Sequence, residues 1–156
     1  PGAPGPTIFM SGPHAARASD IIARHGVRTH VLALPNGAAS SLKMGYAGIT
    51  KGLIAIAATM ALAADKAGVG EALAAELARS QPNLFAGFTK SIPDMIPKAK
   101  RWVPEMKEIE AFVGEVAPSA DAFGAFARFY EMISGEPGLH ERLAAFYKAG
   151  DAPKQA

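Results

Sequence analysis

The apolar pattern of this chain changes period at Pro35, and that change limits the folds open to it. Before Pro35, two β-prone runs, Thr7-Ile8-Phe9-Met10-Ser11 and Thr29-His30-Val31-Leu32-Ala33-Leu34, flank a segment from His14 to Arg24. In that segment Ala15, Ala18, Ile21 and Ile22 recur at helical spacing. Pro13 stands where a first helical turn tolerates a missing N–H, and Gly26 supplies a stop. Strand, helix, strand is a βαβ-like unit, and two strands bury too little apolar surface to stand alone. Residues 1–34 therefore read as the edge of a larger α/β sheet.

After Pro35 the composition is helix-forming throughout. The spacing predicts a long helix over 38–66, broken at Gly68-Val69-Gly70, then one over 71–80 stopped by Pro82, and a short piece over 84–90. Beyond Pro93 and Pro97, a helix carries Met106, Ile109, Phe112 and Val113 on one face. The next starts at Pro118-Ser119, carries Ala122, Phe123, Phe126, Phe129 and Tyr130, and stops at Gly135. A last one over 139–148 holds Leu143, Phe146 and Tyr147. The expected fold is mainly α: a βαβ piece over 1–35 followed by an all-α domain over 36–156.

Composition removes several function classes. With 156 residues, 49% of them hydrophobic and 19% charged, the chain can pack a core and is not disordered. Net charge is only +2, and the one basic cluster, Lys98, Lys100 and Arg101, is followed at once by Glu105, Glu108 and Glu110. That cluster reads as a solvated helix face, so no nucleic acid partner is expected. The absence of cysteine removes thiol chemistry and disulfides and leaves the redox compartment open. His14, His25, His30 and His140 show no metal-ligand spacing, so no metal is expected; His25 and His30 read as capping or surface residues. The longest uncharged run, Gly52 to Ala64, has 13 residues, short of the ~20 a membrane span needs. It also lacks the basic face of a membrane-surface helix, so a core helix, no membrane and a cytoplasmic setting are expected. The lead-in PGAPGP has no signal-peptide character, and the missing initiator Met fits a fragment or processed chain.

Within Pro35–Asp65, three features carry more than packing. Gly45, Gly48 and Gly52 are three and four residues apart on the long helix. Each weakens the helix by ~1 kcal/mol against Ala, so close packing or the approach of a ligand must offset it. Lys43 lies near the start of that helix, where the dipole disfavours a protonated amine. It reads either as a surface lysine whose stem covers apolar surface or as a general acid/base. Lys51, two turns on, joins Lys43, Tyr46 or Ala47, and Thr50 in a polar stripe on an otherwise apolar helix.

Strand, Ser-Gly, helix, strand, then Pro-Asn-Gly-Ala-Ala-Ser-Ser-Leu-Lys and a long helix resembles the domain junction of the β-hydroxyacid dehydrogenases, the 6-phosphogluconate dehydrogenase-like superfamily. Gly37-Ala38-Ala39-Ser40-Ser41-Leu42-Lys43 is similar to its Gly-x-Gly-x-x-x-Lys motif, with Ala39 in place of the second glycine. LKMGYAGITKG and RWVPEMKEIEAF are closer to the C-terminal domain of a bacterial NAD(P)-binding subgroup. The resemblance implies that 1–35 is a Rossmann edge and 36–156 an all-α dehydrogenase domain for substrate binding and homodimerisation. It implies hydride transfer between NAD or NADP and a small anionic hydroxy acid, with Lys43 as general acid/base. Tyr46, Ala47, Thr50 and Lys51 would line the substrate side, and Gly37, Ala39 and Ser40 the cofactor side. Tyr46 and Ala47 stand where the superfamily has asparagines, and no Gly-x-Gly-x-x-Gly occurs in the chain. The alternative is a non-catalytic helical dimerisation or ligand-binding module on the same scaffold.

Overall fold

A computed structural model gives the architecture and describes residues 5–114 and 116–149. Residues 1–4, 115 and 150–156 of the two expected spans lie outside the described residues. The order is β1 (Thr7–Ser11), α1 (Ala15–Ala23), β2 (Arg28–Leu32), α2 (Ala38–Lys66), α3 (Gly70–Ser80), α4 (Pro82–Met95), a 3-10 turn (Ile96–Lys98), α5 (Ala99–Val113), α6 (Ala120–Gly135) and α7 (Pro137–Ala149). The protein is mainly α with a small βαβ piece at its start, as the change of period at Pro35 implies. The chain divides into two compact units, Pro1–Tyr46 and Ala47–Ala156. Secondary structure changes at Pro35, whereas the division in packing falls later, within α2.

In the N-terminal unit, β1 and β2 pair in parallel from Thr7 opposite Arg28 to Ser11 opposite Leu32, with α1 packed on both strands. Ser19 and Thr29 share a 2.6 Å hydroxyl contact between α1 and β2. Ile8, Phe9, Val31 and Leu34 are exposed. Parallel sheets are normally covered on both faces, so this pair keeps apolar surface uncovered.

In the helical unit, α2 buries a face of small residues: Ala47, Gly48, Gly52, Ala55, Ala58, Ala61 and Ala64. A Cβ at Gly48 would come 3.3 Å from Ile109 Cγ2 and 3.5 Å from the Phe123 ring, and one at Gly52 3.6 Å from Phe126. Close packing therefore explains Gly48 and Gly52, and Gly45 faces open space. α2 as a whole has the length and composition to cross a membrane, which its 13-residue uncharged run alone does not. Of the stretch that meets this test, 44% is buried.

Burial overrides several local signals. The short piece expected over 84–90 is the longer α4, because Pro82 at its first position gives up no needed N–H. Buried Phe85, Ile92 and Met95 then hold the helix together through Pro93. α5 likewise runs through Pro104 and buries Ala99, Trp102, Met106 and Ile109, while Phe112 is exposed. On α6 the buried positions are Ala120, Gly124, Ala127, Tyr130 and Ile133, a face rotated from the expected one so that Ala122 is exposed and Phe123, Phe126 and Phe129 are half-buried. On α7 Leu143, Phe146 and Tyr147 are buried as expected, with Tyr147 against Phe85 at 5.6 Å between ring centroids.

Tyr130 ties three helices together. Its hydroxyl donates to the Lys51 carbonyl of α2 at 2.6 Å, and its ring meets Trp102 of α5 edge-on at 5.3 Å. Burial pushes its phenol far above the ordinary range, and does the same to Tyr147. The folded state thus holds both phenols neutral where the unfolded chain ionises, above pH ~10. Their contribution is complete below that pH and is lost as pH rises past it. Tyr130→Phe is expected to lower unfolding free energy by about 0.5–1.5 kcal/mol at neutral pH. It should also make the decline above pH 10 shallower, as urea titrations across pH 8–11 would show.

Candidate active site

Lys43 lies on the second turn of α2, and the residues that fix that turn come from β1 and its following loop. Ser11 Oγ accepts the Ala39 N–H at 3.1 Å, satisfying one of the amides that a helix start leaves unpaired. Gly12, at φ +98°, donates its N–H to the Leu34 carbonyl at 3.0 Å. A Cβ on Gly12 would fall 1.9 Å from Asn36 Oδ1, so Ser11-Gly12 and Pro35-Asn36-Gly37 interlock and only glycine fits between them. Gly37, at φ +91°, makes the turn into α2.

This interlock opens a groove of about 740 Å³ within the N-terminal unit. From α2 it is lined by Ala39, Ser40, Leu42, Lys43 and Tyr46, and from the β1 side by Pro6, Thr7 and Phe9. Lys43 is exposed, and Tyr46 is 71% exposed. Phe9 is held edge-on to His30 at 5.4 Å between centroids, which gives His30 a surface role. Phe9 and Thr7 escaped the sequence reading. Their signal was the period of two along β1, which sends alternate side chains to one face.

The other expected residues have different surroundings. Ala47 is only 5% exposed and belongs to the buried small-residue face of α2. Thr50 is half-buried. The Lys51 ammonium pairs with Glu105 and lies 4.9 Å from the centre of the Trp102 ring. Both charged side chains retain 17% of their exposure, so Glu105 is no part of a solvated face, unlike Lys100 and Arg101. Glu105, Trp102 and Tyr130, which hold Lys51, were also missed, because a contact between positions 51 and 105 leaves no local trace in sequence.

Among the described residues, no group of three or more His, Asp or Glu could hold a metal. For a nicotinamide cofactor the fit is partial. Gly37 has open space where a Cβ would stand, so its backbone can be approached, and Ser40 presents a hydroxyl to the groove. Ala39 contributes no side-chain polar group, and its N–H already serves Ser11. For a pyrophosphate the chain carries no glycine-rich loop.

Deleting one partner of the Lys51–Glu105 pair should leave a largely buried charge. Glu105→Ala is expected to cost about 1–3 kcal/mol, between the values for exposed and fully buried pairs. Lys51→Met together with Glu105→Leu should recover much of it in a double-mutant cycle by urea unfolding. Equal stability of the wild type and Glu105→Ala would show that the pair contributes nothing.

Comparison with known families matches residues 64–133 to a domain of unknown function (DUF1932). That span runs from the end of α2 to α6, inside the helical unit. No curated protein and no solved structure matches the chain. Lys43 and its groove lie before the matched span.

Proposed function

We propose that this chain is the C-terminal portion of an NAD(P)-dependent oxidoreductase that interconverts a small hydroxy acid and its carbonyl form. The observation that carries the reading is Lys43 beside Tyr46 in the groove at the βαβ-to-α2 junction, where the resemblance puts a catalytic lysine. The DUF1932 match over the helical unit supports it. So do Ile8 and Val31, apolar and exposed on β1 and β2, which the helices of a larger dinucleotide-binding sheet would cover.

A bound nicotinamide supplies the acceptor for the hydride, the hydrogen and electron pair lost from the hydroxyl-bearing carbon. The neutral Lys43 amine takes the hydroxyl proton as the carbonyl forms, and its ammonium returns that proton in the reverse direction. Ser40 and the open Gly37 backbone stand on the cofactor side. Tyr46 stands on the substrate side, in place of a smaller amide side chain. In this reading Ala47 shapes the helix and contributes no polar contact, and Thr50 and Lys51 follow on α2, with Lys51 held by Glu105.

The helical unit also offers a surface for a second copy. Ile49, Leu53, Ile56 and Met60 are exposed at alternating spacings of four, three and four along α2, and Ile49 is 67% exposed. Beside them lies an apolar groove of about 280 Å³ that includes Leu73, Leu77, Leu84 and Phe88. Contiguous apolar surface of this kind marks association, and the proposal is a homodimer formed across it.

Lys43→Ala in the full-length protein should lower kcat by about 10²–10⁴-fold. Because the side chain is exposed, the melting temperature should stay within about 2 °C of wild type. Near-wild-type turnover would remove Lys43 from the chemistry and favour the non-catalytic binding module. For the dimer, light scattering coupled to gel filtration should give twice the chain mass for the wild type and the single-chain mass for Ile49→Asp/Ile56→Asp. A monomeric wild type would end the dimer proposal.

A further inference from the structure

We infer that Asn36 is a covalent modification site: in the folded protein it deamidates through a cyclic imide with Gly37, and the isoaspartate product releases the start of α2 from the sheet. The chain has two asparagines, Asn36 and Asn83. The fold requires each member of the Asn36-Gly37 pair for a separate reason. The Asn36 amide oxygen fills the space beside Gly12. Gly37 makes the turn into α2 at φ +91°, a conformation that other residues rarely adopt. Their adjacency puts a carboxamide next to a backbone nitrogen with no side chain beside it. A Cβ at Gly37 would meet nothing within 4 Å, and Asn36 and Gly37 are both exposed. Among the described residues, no hydrogen bond holds the Asn36 carboxamide or the Gly37 N–H.

The chemistry needs water alone. The Gly37 nitrogen attacks Asn36 Cγ and a C–N bond forms. The Cγ–Nδ2 bond breaks, and Nδ2 leaves as ammonia carrying the Gly37 proton. Water then opens either C–N bond of the imide ring. One opening gives aspartate, whose carboxylate just before α2 suits the positive end of the helix dipole. The other gives isoaspartate, in which the main chain runs through Cβ and Cγ. Its backbone is longer by one atom, and no side-chain amide oxygen is left for Gly12. The loops after β1 and β2 then lose the Asn36 contact, and the Ala39 N–H loses the register that brings it to Ser11 Oγ. Asn83 is an internal control. It lies in the first turn of α4, which holds its backbone in helical dihedrals, and Leu84 follows it with a full side chain.

The test is to keep the full-length protein in mildly alkaline buffer and follow both asparagines by peptide mapping, with electron-transfer fragmentation to separate aspartate from isoaspartate. Asn36 should convert about tenfold or more faster than Asn83, which has no glycine after it. Amide hydrogen exchange over residues 7–12 and 36–46 should quicken in step with isoaspartate at Asn36. In Asn36→Ser, which has no carboxamide to lose, exchange over the same segments should not change with time, whatever its starting value. An Asn36 that stays intact in the folded protein, or that converts no faster than Asn83, would overturn the site. Conversion of the urea-unfolded chain alone would show that the fold protects Asn36, which overturns it equally. Isoaspartate at Asn36 with unchanged exchange, or an equal drift in Asn36→Ser, would overturn the release of α2.

Discussion

The helical unit depends on one side of α2 being nearly bare of side chains. Ala47, Gly48, Gly52, Ala55, Ala58, Ala61 and Ala64 give a smooth face on which bulky residues can be laid, and Ile109, Phe123 and Phe126 come within contact distance at the two glycines. Small residues contribute little hydrophobic burial of their own. They work by admitting larger neighbours at interior packing density, which a Leu or Val at those positions would prevent. The lost helix propensity at Gly48 and Gly52 is offset by that contact. The same face explains how so apolar a helix, long enough by composition to cross a membrane, is also suited to the centre of a helical domain.

Where α2 leaves that face, its side chains divide between two settings. Lys51 is drawn against Trp102 and Glu105, and its backbone carbonyl accepts from Tyr130, so cation, ring, carboxylate and phenol form one connected cluster. A lysine engaged on two sides within its own unit fixes the approach of α5 and α6 to α2. Lys43 lies on the exposed second turn of the same helix, within a groove bounded by β1. Two lysines eight residues apart thus carry different physical roles because different elements surround them.

The turn into α2 is governed by the contact between Gly12 and Asn36. The amide oxygen of Asn36 occupies the volume a Cβ would take at Gly12, and Ser11 caps the Ala39 N–H from the adjoining position. The loop after β1 and the loop after β2 are thereby joined, and the N-terminus of α2 is oriented from the sheet. That interlock places Ser40 and Lys43 at the groove without help from the helical unit.

By itself the sequence determined the order of elements, the change from βαβ to all-α at Pro35, the full span of α2 and the candidacy of Lys43. Each of these rests on local signals: period, turn chemistry at Gly and Pro, and a short motif at a junction. It did not determine that α4 and α5 run through Pro93 and Pro104, that α6 buries a rotated face, or that Glu105 serves Lys51. It also left Phe9 unassigned. Those outcomes belong to tertiary structure because burial of Phe85, Ile92 and Met95 outweighs the hydrogen bond a proline removes. Partners as far apart as positions 51 and 105, or 9 and 43, meet only when the chain has folded.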